Sequence, residues 1–373
     1  MSAGAYRLAA IGDVMLAREV GRHIEAAPHE FALTDVRGLL RSFDLVCLNL
    51  ESPVATGGRP DPTQDPHVTF RAHPDALQVV RNLGATMVAL GNNHVLDYGE
   101  AALSETIEHL DAAGLRHAGA GRNYAEANRP LLMDCGGRQI AFLSYCFIYS
   151  ANTRMATRTR GGVSDHRLHT IVPRIRELAR SGRDVIVSCH WGYEYCLYPL
   201  PYQMRIARRL VDAGARLVLG HGPHYPQGIE DYGGGKIVYS LGNFIFDEPH
   251  KFSNRSFVYG VEIDRSGRPR TDEIHPVHLR GHVPYMVEGA ERGRLERLIA
   301  NLGARYAEKD RRFWHDLSVK YFTEICARVA RTGSVKYFFV PTPSFYVDVG
   351  PAVLLRKLRP AGVMNLSRAF GHR

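Results

Sequence analysis

The chain lacks most of the marks of a secreted, membrane-embedded or nucleic-acid-binding protein. Its six cysteines, Cys47, Cys135, Cys146, Cys189, Cys196 and Cys326, are scattered, and no two form a CxxC pair. That argues against a Cys-type zinc site and for a reducing compartment. No apolar run reaches the roughly 18 residues needed to span a bilayer, so no stable membrane insertion is expected. The opening segment, MSAGAYRLAAIGD, has no basic stretch ahead of a long apolar one, which points away from a signal peptide and towards the cytoplasm. No segment interleaves helix-spaced basic residues with aromatics, so nucleic acid is not an expected partner. Internal repeats and low-complexity tracts are also missing.

What is present is an ordinary globular composition: 373 residues, 45% hydrophobic and 23% charged. That length fits one large α/β domain or two. The net charge of +9 favours anionic partners or substrates, though weakly.

Several apolar runs of strand length stop at residues that bind metals or move protons. Tyr6–Ile11 closes in Gly12 and Asp13, FDLVCLNL in Glu51, and ATMVALG in Asn92, Asn93 and His94. RDVIVSC closes in His190, Trp191 and Gly192, and ARLVLG in His221, Gly222, Pro223 and His224. Taken singly, Asp13 reads equally well as a helix cap, Glu51 as a solvated turn residue and His190 as a satisfied core histidine. Repetition of one pattern favours a site, because open α/β sheets place their sites beyond the carboxyl ends of strands. Asp13, Glu51, Asn93, His94, His190, His221 and His224 are therefore expected around one cleft.

Carboxylate, amide and imidazole donors together suit Zn, Mn or Fe(II). Asn93, His190 and His221 are expected to hold one divalent ion, Asp13 with His224 a second, and Glu51 to bridge them. His94, next to a ligand, is better placed as general acid or oxyanion stabiliser, with Asp97 orienting its ring.

Strand runs alternate with helix-like stretches over 16–25, 74–83, 100–113, 165–181 and 201–213, which predicts βαβ units and a largely parallel sheet. Ser164 and Asp165 offer N-caps to the fourth of these helices. Hairpins turning at Gly136–Gly137 and Gly233–Gly235 predict a second sheet packed on the first. Residues 285–373 read as an appended helical segment that covers the cleft, mediates self-association into a homo-oligomer, or simply packs.

The ordered motifs GDVML, LNLESP, TFRAHP, GNNHVLDYG, HWGYEY, GHGPHYPQG and YSLGNFIFD resemble those of the CapA-type poly-γ-glutamate capsule biosynthesis family over about residues 6 to 250. The resemblance implies an α/β fold: a calcineurin-like metallophosphatase β-sandwich flanked by helices over 1–284, with a C-terminal helical extension over 285–373. It implies ligand roles for Asp13, Glu51, Asn93, His190, His221 and His224, and a catalytic role for His94. Met15 stands where related phosphoesterases carry a histidine, and two residues separate His221 from His224 instead of one. Both departures fall on the same ion, which implies a tight ion on Asn93, His190 and His221 with a weak or absent second.

Arg71 is expected either to clamp a substrate carboxylate or phosphate or to form a surface salt bridge. Trp191 and Tyr193 either wall the substrate cleft or belong to the core. His73 caps a helix, Asn243 steadies a ligand loop, and His275 and His278 are remoter candidates for the cleft. The arginine-rich loop 154–162 is either a lid or a solvated loop. Three functions follow. The first is a metal-dependent hydrolase-like enzyme on a peptide or polyglutamate-type substrate. The second is a metal-dependent peptide epimerase with Asp13 or His94 as proton carrier. The third is a non-catalytic polymer-binding assembly factor.

Overall fold

A computed structural model of the chain describes residues 4–308 apart from 63, 149–152 and 248–252. In chain order its strands begin with β1 (Tyr6–Val14), β2 (Leu45–Leu50), β3 (Met87–Ala89), β4 (His117–Ala118), β5 (Ala120–Gly121), β6 (Leu131–Cys135), β7 (Arg138–Cys146) and β8 (Gly162–Val163). They continue with β9 (Asp184–His190), β10 (Ala215–His221), β11 (Ile229–Tyr232), β12 (Gly235–Val238), β13 (Asn243–Ile245), β14 (Arg255–Ile263), β15 (Pro269–Arg280) and β16 (Val283–Met286). The α-helices are α1 (Arg18–Ala26), α2 (Thr34–Leu40), α3 (Leu77–Asn82), α4 (Gly99–Ala112), α5 (Tyr124–Ala127), α6 (Leu168–Arg180), α7 (Pro201–Asp212) and α8 (Gly289–Glu308).

Two sheets form a sandwich. The first is ordered β16-β15-β14-β1-β2-β3-β4, with β13 joining β1 in parallel; the second is ordered β11-β12-β10-β9-β7-β6. β1 to β4 run parallel, as do β12, β10, β9 and β7. The hairpins expected at Gly136–Gly137 and Gly233–Gly235 supply the antiparallel edges β6 and β11.

Burial follows from this arrangement. β9, DVIVSCH, is buried at every position because both of its faces are covered, and such strands carry continuous apolar runs. In β1, Leu8 and Ala10 pack between the sheets with Phe142, Ile186 and Leu219, while Ala9 and Ile11 pack outward on helix residues such as Val20, Leu103 and Ile107. The outer face of the second sheet is covered by Ile171, Ile175, Ile206 and Leu210 of α6 and α7. The result is helices, sheet, sheet, helices: the α/β sandwich that the strand order predicted.

Three expectations need correction. α6 starts at Leu168, and neither Ser164 nor Asp165 caps it: Ser164 bonds the Ala127 carbonyl, and Asp165 accepts from the Arg167 backbone and guanidinium. α2 was not foreseen, since seven residues with Gly38 inside give no readable helical period. The boundary expected at 284/285 falls inside β16, and α8 buries Leu295, Ile299 and Leu302, with Ile299 in the layer between the sheets. The start of the C-terminal segment is thus part of the sandwich; the rest of the helical segment expected there, from residue 309 on, lies outside the described residues. No described helix is long and apolar enough to cross a membrane, and the described cysteines are free thiols.

Backbones approach closely where β1 delivers Asp13. A Cβ on Gly12 would stand 1.9 Å from the Gly242 carbonyl oxygen, the same atom that accepts the Asp13 amide at 2.9 Å. Gly12→Ala is expected to push β1 off β13 and cost about 3 kcal/mol, in the range of overpacking a rigid site. Chemical denaturation measures it; a loss below about 0.5 kcal/mol, typical of a surface change, would show that the contact relaxes freely.

Candidate metal centre at the sheet seam

The carboxyl ends of β1, β2, β9 and β10 meet at one edge of the sandwich. β9 and β10 are paired with His221 opposite His190, so two imidazoles start from adjacent strand ends. β1 brings Asp13 and β2 brings Asn49, with Glu51 just past its end; Asp13 and Asn49 are register partners. The first sheet meets the second here: Asn49 Nδ2 lies 2.9 Å from Asp13 Oδ1, 3.2 Å from Glu51 Oε2 and 3.3 Å from His190 Nδ1. The Gly91 amide beyond β3 also donates across the seam to Ser144 Oγ of β7 at 3.0 Å.

Asp13 is fully buried and accepts from His221 Nδ1 at 3.1 Å and the Gly222 amide at 3.2 Å. Burial acts to raise its pKa, but the His221 hydrogen bond and the charges of His221, His190 and His224 outweigh that and hold it below the usual carboxylate range. Glu51 goes the other way: burial, then the charges of Asp13, Glu194 and Asp97, push it up. Burial lowers His190 to about 3, keeping its imidazole neutral, as a metal ligand must be.

Glu51 Oε1 has no hydrogen-bond partner among the described residues. It sits 3.8 Å from His94 Nε2, 3.9 Å from His190 Nε2 and 3.9 Å from His224 Nε2. Those gaps are too long for hydrogen bonds and near the ~3.4 Å separating two ligands of a tetrahedral ion with bonds of about 2.1 Å. Asn93 Oδ1 and His221 Nε2 are likewise buried without partners. Asp13, Glu51 and His224 each offer an atom within 4.8 Å of the others'. Oxygen and imidazole donors left unsatisfied in a buried pocket fit a divalent cation.

The structure therefore gathers Asp13, Glu51, His190, His221 and His224, with His94 beside them; Asn93 precedes His94 in the chain with its Oδ1 buried and unpartnered among the described residues. Asp13, Glu51 and His224 form one close group of carboxylate and imidazole donors, on the side of the pocket where the second ion was expected. The extra residue between His221 and His224 is absorbed by the backbone: Gly222 has φ 102° and His224 φ 59°, and this left-handed turn brings His224 back to the pocket. Such strain in a non-glycine residue collects at functional sites. Asn243 Oδ1 holds His224 Nδ1 at 2.8 Å, the steadying role expected of it. Met15 turns away into the core, where its sulfur faces the Ala17 amide.

His94 Nδ1 bonds Asp97 Oδ2 at 2.8 Å, the orienting contact expected. Asp97 is itself held by the Phe70 amide at 2.8 Å and Gln64 Nε2 at 3.0 Å, and the Phe70 ring stacks on His94 at 4.2 Å. Sequence reasoning missed Asn49, Gln64 and Phe70, and read Asn92 as one of the groups presented at a strand end where it is a supporting residue. Asn92 Nδ2 bonds Asn49 Oδ1 and the Leu50 carbonyl, and its Oδ1 takes the His94 amide. The available signal was Asn49 itself, a polar residue two positions before Glu51 on the same strand face.

Other expected residues lie elsewhere. Trp191 is buried in the outer core of the second sheet, with Nε1 on the Tyr239 carbonyl at 2.9 Å, so it does not wall the cleft. Tyr193 is half-buried and packs on the same cluster. Arg71 reaches the Thr56 and Gly57 carbonyls at 3.1 and 3.0 Å, away from the ligands. His73 caps its helix through the Asp75 amide. His275 pairs with Glu273, and His278 with Tyr285 and Glu291. Arg154, Arg160 and the Gly161 amide all bond Glu100, so this part of the arginine-rich loop is fastened to α4 and is not a lid.

The family described as bacterial capsule synthesis protein PGA_cap matches residues 7–248, a span that holds every residue of the pocket. The capsule biosynthesis protein CapA of Bacillus anthracis is 28% identical over 323 residues, covering 84% of this chain and 78% of that one. The PGA biosynthesis protein CapA of Bacillus subtilis (strain 168) is 29% identical over 279 residues, covering 74% and 73%. Among solved structures, the NAD nucleotidase of Haemophilus influenzae aligns with a TM-score of 0.46 at 11% identity, covering 79% of this chain and 55% of that one.

Metal loading is expected to stabilise the protein by about 2.7 kcal/mol at a hundredfold excess of ion over Kd. His221→Ala and Glu51→Gln are expected to lose both the gain and the bound metal. Thermal melts with Mn²⁺ or Zn²⁺ against chelator, with elemental analysis, provide the readout; a wild type that melts identically in both and carries no metal would rule the centre out.

Proposed function

Because this chain belongs to the bacterial capsule synthesis protein family, we propose that it is a metal-dependent enzyme acting on a peptide or polyglutamate-type anionic chain, most simply by hydrolysing an amide. The observation that carries this reading is Glu51 Oε1, buried, unpartnered and ringed by three imidazole nitrogens at 3.8 to 3.9 Å. The names of the two Bacillus relatives, which concern capsule and PGA biosynthesis, support the substrate class.

In this reading Asp13, Glu51 and His224 hold one ion, and Asn93, His190 and His221 provide for a second. A divalent ion there supplies Lewis-acid polarisation of a substrate carbonyl. The chain's own groups do the rest. Asp97 accepts from His94 Nδ1, which fixes the tautomer and leaves Nε2 facing Glu51 across 3.8 Å. In amide hydrolysis the oxygen of water joins the carbonyl carbon and the C–N bond breaks. His94 Nε2 takes the proton shed by water and passes it to the leaving nitrogen, so the imidazole ends as it began. Phe70 and Asn92 keep the imidazole from turning.

Epimerisation with Asp13 as the proton carrier fits less well, because Asp13 is fully buried and engaged by Asn49, His221 and Gly222; an epimerase would have to use His94, the other carrier the sequence offered.

His94→Ala is expected to lower kcat on γ-glutamyl amides by about 10²- to 10⁴-fold, the usual worth of a general acid–base group, with metal content unchanged. Asp97→Asn is expected to lower kcat with less effect on KM. Assays on γ-glutamyl, peptide and phosphoester substrates test this. Deuterium exchange at Cα without chain cleavage would point to the epimerase instead, and full activity in His94→Ala would refute the assignment.

A further inference from the structure

A groove of about 730 Å³ runs between α1, the turn at Ala55–Thr56 and the start of α3. Apolar Leu16, Ile24, Phe31 and Val79 line it. Its lining residue Arg18 holds a guanidinium 4.5 Å from the centroid of the Phe70 ring, which stacks on His94 at 4.2 Å on the side of the centre. Three arginines border the groove, opposed by Glu25 and Asp75. Two of the three are already neutralised: Arg18 by Asp247, and Arg22 by Glu19.

Arg71 is different. Among the described residues it has no carboxylate partner. Its Nη1 is fixed by the Thr56 and Gly57 carbonyls at 3.1 and 3.0 Å, and its guanidinium lies 4.4 Å over the Tyr98 ring. The turn that holds it is itself held, because Glu105 accepts the Thr56 amide at 2.7 Å and the Gly57 amide at 3.0 Å. A guanidinium pre-set by neutral carbonyls and an aromatic plate keeps its charge and its remaining N–H groups for a ligand.

We infer that this groove is a carboxylate subsite for the anionic chain, in which Arg71 takes a side-chain carboxylate of a unit flanking the one at the metal centre. The inference rests on the polyglutamate reading above and adds where the chain lies. Arg71 binds and does not touch the reacting atoms. It sets preference for a chain over a single unit.

The test is fluorescence anisotropy of labelled oligo-γ-glutamate on the full, metal-loaded chain. Arg71→Ala is expected to weaken binding about tenfold, the low end for a charge-assisted pair, and Arg71→Lys by less. Gln78→Glu, on the exposed groove rim, keeps the Arg71 contacts intact and is expected to weaken binding by repulsion. Arg158→Ala, on the exposed loop, is expected to leave it unchanged. Kinetics on oligomers should show the Arg71→Ala loss in KM more than in kcat. Equal affinity in wild type, Arg71→Ala and Gln78→Glu overturns the subsite while leaving the enzyme reading in place. Failure of the wild type to bind any oligomer also overturns it, and the enzyme reading then stands or falls on turnover of the single-unit amide, which needs only the metal centre.

Discussion

Asn49 meets three acceptors with two amide hydrogens: a carboxylate oxygen from β1, another from just past its own strand, and an imidazole nitrogen from the opposite sheet. That surplus of lone pairs over donors is the constraint around which the pocket is built. In an ordinary core a buried acceptor without a partner costs on the order of 1–3 kcal/mol, and the fold would close around it. Here Glu51 Oε1, Asn93 Oδ1 and His221 Nε2 all remain open. The backbone holds them so. Gly12 under the Gly242 carbonyl, Gly91 against Ser144 and Gly220 under the Tyr239 carbonyl let main chains approach where any side chain would force them apart. The ligand spacing is therefore set by the backbone of both sheets and not by the side chains alone.

The charge balance follows. Two carboxylates buried within a few ångströms cannot both ionise without a counter-charge, and such a pair splits its titration. Asp13 takes the ionised role because His221 and the Gly222 amide point at it; Glu51, with no donor on Oε1, is pushed towards the neutral form. A cation removes the conflict by giving Glu51 a positive neighbour and the unpartnered His221 Nε2 a Lewis acid. Acid content and the placement of amide and imidazole donors thus point to the same occupant.

Much of this was legible in the sequence, for a physical reason. Parallel strands covered on both faces must be continuously apolar, so a polar residue at a strand end stands out, and Asp13, Glu51, His190 and His221 were each found that way. The same logic explains the misses. Asn49 sits inside an apolar run and shows only when the two-residue alternation is counted from Glu51. Trp191 was left between cleft and core because it follows His190 in sequence; successive residues of an extended chain point to opposite sides, and the core reading is the one the structure shows. The His221–His224 spacing looked like a defect, since nothing in the letters GHGPH announces the left-handed turn that repairs it. α8 was taken for an appendage because Leu295, Ile299 and Leu302 could not be matched to a partner surface before the sheets were known.

The segment between the first and third motifs shows how the chemistry is joined to the rest of the fold. Arg18 has φ 51°, a conformation a non-glycine residue adopts at a cost of order 1–2 kcal/mol. It is retained because it aims one guanidinium at the Asp247 carboxylate, the His67 carbonyl and the Phe70 ring together. Phe70 in turn stacks on His94 and donates its amide to Asp97, and Gln64 closes the other oxygen of that carboxylate. Every neighbour of the His94–Asp97 pair is thus fixed from a different part of the chain: α1, the 64–70 segment and the residues after β13. An imidazole so held keeps one position, which is what the general-acid role proposed for His94 requires of it.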